Sequence, residues 1–189
     1  MMNWRNMAVV WLCLMLASCA GCVQPDGKTK QNNKPMKRLE VGDTMPKFSL
    51  MDQNGNVFDS QEYVGKQLLV VYFYPKDDSP GCTRQACAIR DQYEAFSDAN
   101  AKVIGINSGN VESHKAFQEK HNLPFTLLSD PGNKVARAFG VRNFLFLTGR
   151  ETFVIDREGK IAYTFKGMFK DEEHVEGVLA FLNDDKEEV

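Results

Sequence analysis

The stretch QLLVVYFYP, at residues 67–75, constrains the fold of this chain more than any other part of its sequence. Its apolar run has no polar face, and Pro75 ends it. A strand with this pattern is buried on both sides of a sheet, because a half-exposed strand alternates apolar and polar side chains. Helices must then cover the sheet, so the run predicts an α/β architecture.

The order of the remaining segments supports that prediction. Residues 101–107, AKVIGIN, form a second buried strand, and residues 82–96 and 110–122 have helical patterns. A hairpin pattern at 151–167 and an amphipathic helix at 171–184 follow. We therefore expect a central mixed β-sheet flanked by helices.

The N-terminus has the pattern of a secretory signal, with Arg5, then an apolar run at about residues 7–16, then small residues. The four residues LASC, ending at Cys19, resemble a bacterial lipoprotein box. We expect a signal peptide at 1–18, a lipidated Cys19 with a polar tether to residue 38, and one domain at 39–189. The protein would then be anchored to a bacterial membrane, facing the extracytoplasmic side. An ordinary secretory signal is the alternative.

Composition excludes some classes of function. The net charge of −2 and the pI of about 5.9, without a basic stripe, argue against nucleic-acid binding. The histidines His114, His121 and His174 are scattered, and we expect them on the surface. Aspartates are the only other ligands near the two cysteines of the domain, and they suit thiolate-binding metals poorly. A metal site is therefore disfavoured.

Cys82 stands where a polar loop becomes a helix. The first backbone N–H groups of a helix lack helical partners, and together with the helix dipole they favour an anion. A thiolate, rather than a thiol, is the nucleophilic form of cysteine. The position therefore predicts that Cys82 is a nucleophile, with a buried inert cysteine as the alternative.

The spacing between Cys82 and Cys87 limits how they can pair. Five residues of intact helix place two Cα atoms roughly 8.6 Å apart on different sides of the helix. A disulfide requires Cα atoms within about 7 Å. The pair thus suggests one thiol that reacts first and a second that reaches it only after local unwinding, although a thioredoxin-like disulfide exchanger remains an alternative.

The segment YPKDDSPGCTRQACAIRD, residues 74–91, resembles the Q subfamily of peroxiredoxins, also called bacterioferritin comigratory proteins. The resemblance continues through residues 110–141 and 149–161 and covers the chain from residue 39 to the C-terminus. It implies a thioredoxin fold and a thiol-dependent peroxidase of the atypical two-cysteine type.

The resemblance also assigns site residues. It implies that Cys82 reacts with peroxide and that Cys87 then forms a disulfide with it. Pro75 and Ser79 precede the reactive cysteine at the family's spacing, and Arg150 corresponds to the family's arginine at the start of a late strand. Gln85 stands where glutamate is common, and we expect it to leave the core chemistry untouched.

The function expected from these residues is reduction of hydrogen peroxide and organic hydroperoxides, with a thioredoxin-like dithiol as reductant. No metal, haem or flavin is implied, and we expect a monomer. Two alternatives stay open: an envelope thiol–disulfide oxidoreductase of the same fold, and a non-catalytic binding module.

Overall fold

The computed structural model describes residues 37–143 and 147–187. This part of the chain contains seven strands and five α-helices, with a short 3₁₀ helix at Ser60–Glu62. In chain order the elements are β1 Ser49–Asp52, β2 Val57–Asp59, β3 Leu68–Phe73, α1 Pro80–Asp91, α2 Tyr93–Asp98, β4 Ala101–Asn107, α3 Val111–His121, β5 Thr126–Ser129, α4 Lys134–Ala138, β6 Glu151–Ile155, β7 Ile161–Lys166 and α5 Glu173–Glu187.

The seven strands form one mixed sheet in the order β2-β1-β5-β4-β3-β6-β7. Strands β3, β4 and β5 run parallel, whereas β6 is antiparallel to β3 and β1 is antiparallel to β5. Every residue of β3 is buried, which confirms the two-sided strand predicted from the apolar run. The predicted fold class, a thioredoxin fold with a central mixed sheet flanked by helices, is confirmed.

Alternate side chains of β3 enter two cores on opposite faces of the sheet. Leu68, Val70 and Tyr72 pack in the cluster to which α1, α2, α3 and α5 contribute. Leu69, Val71 and Phe73 pack in the other cluster, with α4 and the segment before β1. Because β3 is anchored on both faces, the loop that follows it starts from a fixed point.

One helix boundary differs from the sequence prediction. The pattern at residues 82–96 predicts a single helix, but the structure divides this segment into α1 and α2 at Gln92. Gln92 has φ −108° and ψ 14°, outside the helical range, and its N–H still bonds to the Ala88 carbonyl. The chain therefore changes direction there, and both helices bury apolar residues in the same core.

A tyrosine pair lies in the core cluster that also contains Cys82. The rings of Tyr72 and Tyr74 stack with centroids 5.2 Å apart. Tyr72 lies against Gly105 of β4, where an added Cβ would be 2.6 Å from the ring, so only glycine fits there.

No helix within the described residues has the length and apolar character needed to cross a bilayer.

Candidate active site

Cys82 lies in the first turn of α1, and 1% of it is exposed. The helix starts with Pro80, which suits a position whose missing N–H would have no helical partner. Ser79 precedes it in an extended conformation, and its carbonyl accepts from the N–H of Thr83 at 2.8 Å. The first turn contains no acidic side chain, so the positive end of the helix dipole is not neutralised next to the sulfur.

Arg150 lies directly before β6 and brings a buried positive charge to the sulfur. It is 5% exposed, and its Nη2 is 3.5 Å from the Cys82 Sγ. Its Nη1 donates to the Gly81 carbonyl at 3.3 Å and to Gln85 Oε1 at 2.6 Å. Its Nε donates to the Met168 carbonyl at 2.9 Å. Three neutral oxygens therefore hold the guanidinium in place, and its remaining contact is the sulfur of Cys82.

A cavity of about 310 Å³ opens beside this pair. Apolar side chains line much of its wall, and a charged pair closes one side, where Arg84 Nε donates to Asp171 Oδ2 at 2.6 Å. The lining residues are Pro75, Gly81, Arg84, Leu147, Arg150, Met168, Phe169 and Asp171. The cavity is large enough for a small molecule to reach the guanidinium.

The structure brings some of the predicted site residues into contact and places others at the edge of the site. Cys82 and Arg150 are in contact, and Pro75 forms part of the cavity wall. Ser79 is half-buried at the start of α1, where its hydroxyl donates to the Lys76 carbonyl at 3.0 Å. The hydroxyl hydrogen is thus occupied by the loop, whereas the oxygen lone pairs are available to accept.

Cys87 lies on the same uninterrupted helix, and both cysteines are free thiols. It is half-buried next to Arg90, whose Nη1 donates to the His121 carbonyl at 2.8 Å. The pKa of Arg90 is raised, mainly by its hydrogen bond to Asp91 and to a smaller degree by Cys87. The sulfur of Cys87 therefore lies close to the Arg90 guanidinium, away from Arg150.

Asp77 anchors the loop between β3 and α1. Its carboxylate accepts from the Tyr74 hydroxyl at 2.8 Å, from Asn107 Nδ2 at 3.1 Å and from Ser113 Oγ at 2.5 Å. Burial acts to raise the pKa of Asp77, but these bonds and that of His114 Nδ1 at 2.9 Å lower the pKa overall. These bonds thus fix the middle of the loop that contains Pro75 and Ser79.

His174 of α5 supports the segment that holds Arg150. Its Nε2 donates to the Gly167 carbonyl at 3.0 Å, so its Nδ1 accepts from the Thr152 hydroxyl at 2.8 Å. Gly167 precedes Met168, whose carbonyl accepts from Arg150. Burial lowers the pKa of His174 to about 4, so the ring is neutral at neutral pH.

Several residues of this site have no signal in the sequence. The surface position predicted for His114 and His174 is wrong, because they are 0% and 1% exposed. Gln85 Oε1 accepts from Arg150, a contact that no pattern in the sequence indicates. A histidine or glutamine on an amphipathic helix is normally solvated, and only the neighbouring elements decide otherwise.

Comparisons with known proteins agree with this geometry. The family model described as AhpC/TSA family matches residues 41–164. The chain is 47% identical over 154 residues to peroxiredoxin Q, chloroplastic, of Sedum lineare, covering 80% of this chain and 82% of the relative. It is 48% identical over 147 residues to the protein of that name from Arabidopsis thaliana, covering 77% of this chain and 68% of the relative.

Solved structures give the same result. A peroxidoxin BcpB from Mycobacterium tuberculosis superposes with a TM-score of 0.73 and 34% identity, covering 78% of this chain and 98% of that chain. A peroxiredoxin Q from Xanthomonas campestris superposes with a TM-score of 0.68 and 30% identity, covering 77% and 96%.

The predicted location at a bacterial membrane is contradicted by these comparisons. The relatives named above are described as chloroplastic, not as lipoproteins of a bacterial membrane. The predicted signal peptide at 1–18, Cys19 and the predicted tether up to residue 36 lie outside the described residues.

We predict that His174 makes the protein less stable in mild acid. Its pKa is about 4 in the folded protein and near 6.5 when unfolded, so between these values the unfolded chain binds more protons. The free energy of unfolding should fall by roughly 3 kcal/mol from this group as pH drops from 6.5 to 4. Urea unfolding of the wild type and of His174→Gln over this range measures it. If the free energy of unfolding depends on pH equally in the two proteins, the lowered pKa of His174 is contradicted.

Proposed function

Because the chain belongs to the AhpC/TSA family as a peroxiredoxin Q protein, and is therefore a thiol peroxidase, we propose that Cys82 is the cysteine that attacks the peroxide. The observation that carries this proposal is the 3.5 Å contact between its Sγ and Arg150 Nη2 next to the cavity. A buried cation stabilises a thiolate, and thiolates are the reactive form.

The first step moves one oxygen from the substrate to the sulfur. The Cys82 thiolate attacks the terminal peroxide oxygen, the O–O bond breaks, and the sulfur becomes a sulfenic acid. The leaving oxygen departs as hydroxide or alkoxide and takes a proton from solvent to give water or an alcohol. Arg150 faces both the thiolate and this developing charge, which is electrostatic stabilisation of the transition state.

Ser79 and Pro75 are assigned supporting roles. The Ser79 hydroxyl donates its hydrogen bond to the Lys76 carbonyl, so its oxygen can accept a hydrogen bond from the peroxide O–H. Pro75, in the cavity wall, limits the access of water to the sulfur. The apolar lining suits the organic group of a small hydroperoxide, and hydrogen peroxide is small enough to enter the same cavity.

Cys87 completes the cycle as the resolving cysteine. Its thiolate attacks the Cys82 sulfenic acid, a disulfide forms and hydroxide leaves. The helix is continuous through both residues in the reduced protein, so α1 has to unwind before their sulfurs meet. A thioredoxin-like dithiol then supplies the two electrons that reduce the disulfide.

The comparisons support this proposal over the alternatives. The relatives are named as peroxiredoxins, which favours a peroxidase over a thiol–disulfide oxidoreductase or a non-catalytic module. The chloroplastic names of these relatives support a plastid location in place of a bacterial envelope.

Replacing Cys82 with serine should reduce peroxide consumption to the uncatalysed background, a loss of at least about a thousand-fold, because a hydroxyl is a far weaker nucleophile. Stopped-flow measurement of hydrogen peroxide with a thioredoxin donor provides the test. Circular dichroism shows whether the variant is folded. Retained turnover by a folded Cys82→Ser protein would refute the role of Cys82.

Replacing Cys87 with serine should leave the first attack within about two-fold of the wild type, because Cys87 is not in contact with Arg150. The oxidised variant should then accumulate sulfenic acid and, with more peroxide, sulfinic acid at Cys82. Single-turnover kinetics and peptide mass spectrometry measure both effects. If peroxide-treated wild type contains no Cys82–Cys87 linkage, the resolving role is wrong.

A further inference from the structure

Helices α1 and α5 leave a surface groove between them, the α1–α5 groove, with a volume of about 320 Å³. It is as large as the cavity at Cys82. Its floor is apolar, because Ala88 of α1 and Val175 and Leu179 of α5 pack against the core beneath it. Apolar surface that is open to solvent between two helices is suited to binding a further apolar side chain.

The rim of the α1–α5 groove is negatively charged. It carries the carboxylates of Asp91, Glu172 and Glu176. Asp91 is paired with Arg90, whereas Glu172 and Glu176 have no ion-pair partner within the described residues. The Glu176 N–H donates to the Glu172 carbonyl at 3.1 Å, so these carboxylates are one helical turn apart and repel each other. The dipole of α5 offsets part of this repulsion, and a cation at the rim would offset more.

The described part of the chain supplies no cation for this rim. Arg84 Nε donates to Asp171 Oδ2 at 2.6 Å, and Arg90 Nη1 donates to the His121 carbonyl at 2.8 Å, so both arginines of α1 are bound elsewhere. The described residues also contain no cluster of side chains that could hold a metal ion. A second copy of the chain docked by the same face would bring like charges together. Charge complementarity therefore favours lysine or arginine side chains of a different protein.

The shape of the groove indicates the form of that partner. An amphipathic helix binds in an apolar groove by inserting side chains from successive turns. Its flanking polar residues then lie along the rim, where the carboxylates of this groove favour lysine and arginine. A basic amphipathic helix meets both requirements.

We propose that the α1–α5 groove binds a basic amphipathic helix of another protein, and that it does so while Cys82 and Cys87 are reduced. The choice of partner rests on the groove itself. The dependence on redox state rests on the proposed disulfide between the two cysteines.

Formation of that disulfide alters one wall of the groove. The two thiols lose two electrons to one peroxide, which is reduced to water and an alcohol or a second water. Ala88 directly follows Cys87 in α1, so it is displaced when the helix unwinds and Cys87 reaches Cys82. The groove is therefore complete only in the reduced protein, and peroxide would release the partner.

The test measures binding of a fluorescein-labelled helical peptide of leucine and lysine, with all leucines on one face. The same peptide with glutamate in place of lysine is its control. Fluorescence anisotropy gives the affinity for the full chain, first reduced and then after one equivalent of hydrogen peroxide without reductant. Peptide mass spectrometry shows whether the Cys82–Cys87 linkage has formed.

Three variants identify the surface that binds. Glu172→Gln combined with Glu176→Gln removes the two unpaired charges of the rim. Glu112→Gln combined with Glu158→Gln removes the same charge at exposed positions of α3 and of the turn between β6 and β7. Ala88→Gln places a longer side chain in the groove.

We expect the reduced chain to bind the leucine–lysine peptide and not the glutamate peptide. Removing the rim charges should weaken binding about ten-fold, and Ala88→Gln should weaken it to a similar degree. The control pair on α3 and the turn should stay within about two-fold of the wild type.

Oxidation of the wild type should weaken binding by about ten-fold or more. Cys87→Ser after the same peroxide treatment should bind as before, because it cannot form the disulfide. In a dithiothreitol redox buffer, the peptide should shift the Cys82–Cys87 couple towards the dithiol by the ratio of its two affinities.

Equal binding by the wild type and the rim variant would overturn the proposal, because the peptide would then bind elsewhere. Equal binding before and after verified disulfide formation would overturn the dependence on redox state. A reduced-state dimer in sedimentation that Ala88→Gln abolishes would assign the groove to a second copy and would also overturn the proposal.

Failure of the proposed function gives a different result. Peroxide would then produce no Cys82–Cys87 linkage, and the dependence on redox state would be refuted with it. Binding by the reduced chain that is lost in the rim variant would support the groove in that case as well.

Discussion

The contact between the Arg150 guanidinium and the Cys82 sulfur is the interaction on which the site depends. A buried guanidinium is costly unless every donor finds a partner, and here the partners come from separate parts of the chain. The Met168 carbonyl comes from the segment after β7, and the Gly81 carbonyl and the Gln85 amide come from α1. The fold brings these segments together because β6, which follows Arg150, pairs with β3, which precedes α1. A single cation thus connects the sheet, the helix and the cavity.

Helix α1 has two roles that oppose each other. In the proposed mechanism, its intact first turn supports Cys82 as the nucleophile, whereas formation of the proposed disulfide with Cys87 requires the same helix to unwind. The surrounding contacts divide between these roles: Asp77 fixes the loop before the helix, and the break at Gln92 separates α1 from α2 behind it. The segment that must unwind is therefore bounded at both ends, and α2 and β4 do not have to move with it.

The sequence predicts much of this architecture and only part of the site. The apolar run before Pro75 identifies the central strand, and residues 101–107 match β4, because strands buried on both faces have a pattern that needs no tertiary context. The single helix predicted at 82–96 fails at Gln92, where no glycine or proline marks the break. Gln85 and His174 could not be identified either, because their roles depend on groups 65 and 22 residues away in the chain. Local patterns therefore locate the candidate nucleophile, and long-range contacts reveal what surrounds it.

The most direct measurement is the rate of peroxide reduction by Arg150→Met from neutral to alkaline pH. If the guanidinium stabilises the departing oxygen as well as the thiolate, the rate should fall by about 100-fold or more and should not recover at a pH where any free thiol is ionised. Recovery to within a few-fold of the wild-type rate at alkaline pH would show that Arg150 only ionises the cysteine. An unchanged rate at neutral pH would contradict its role entirely.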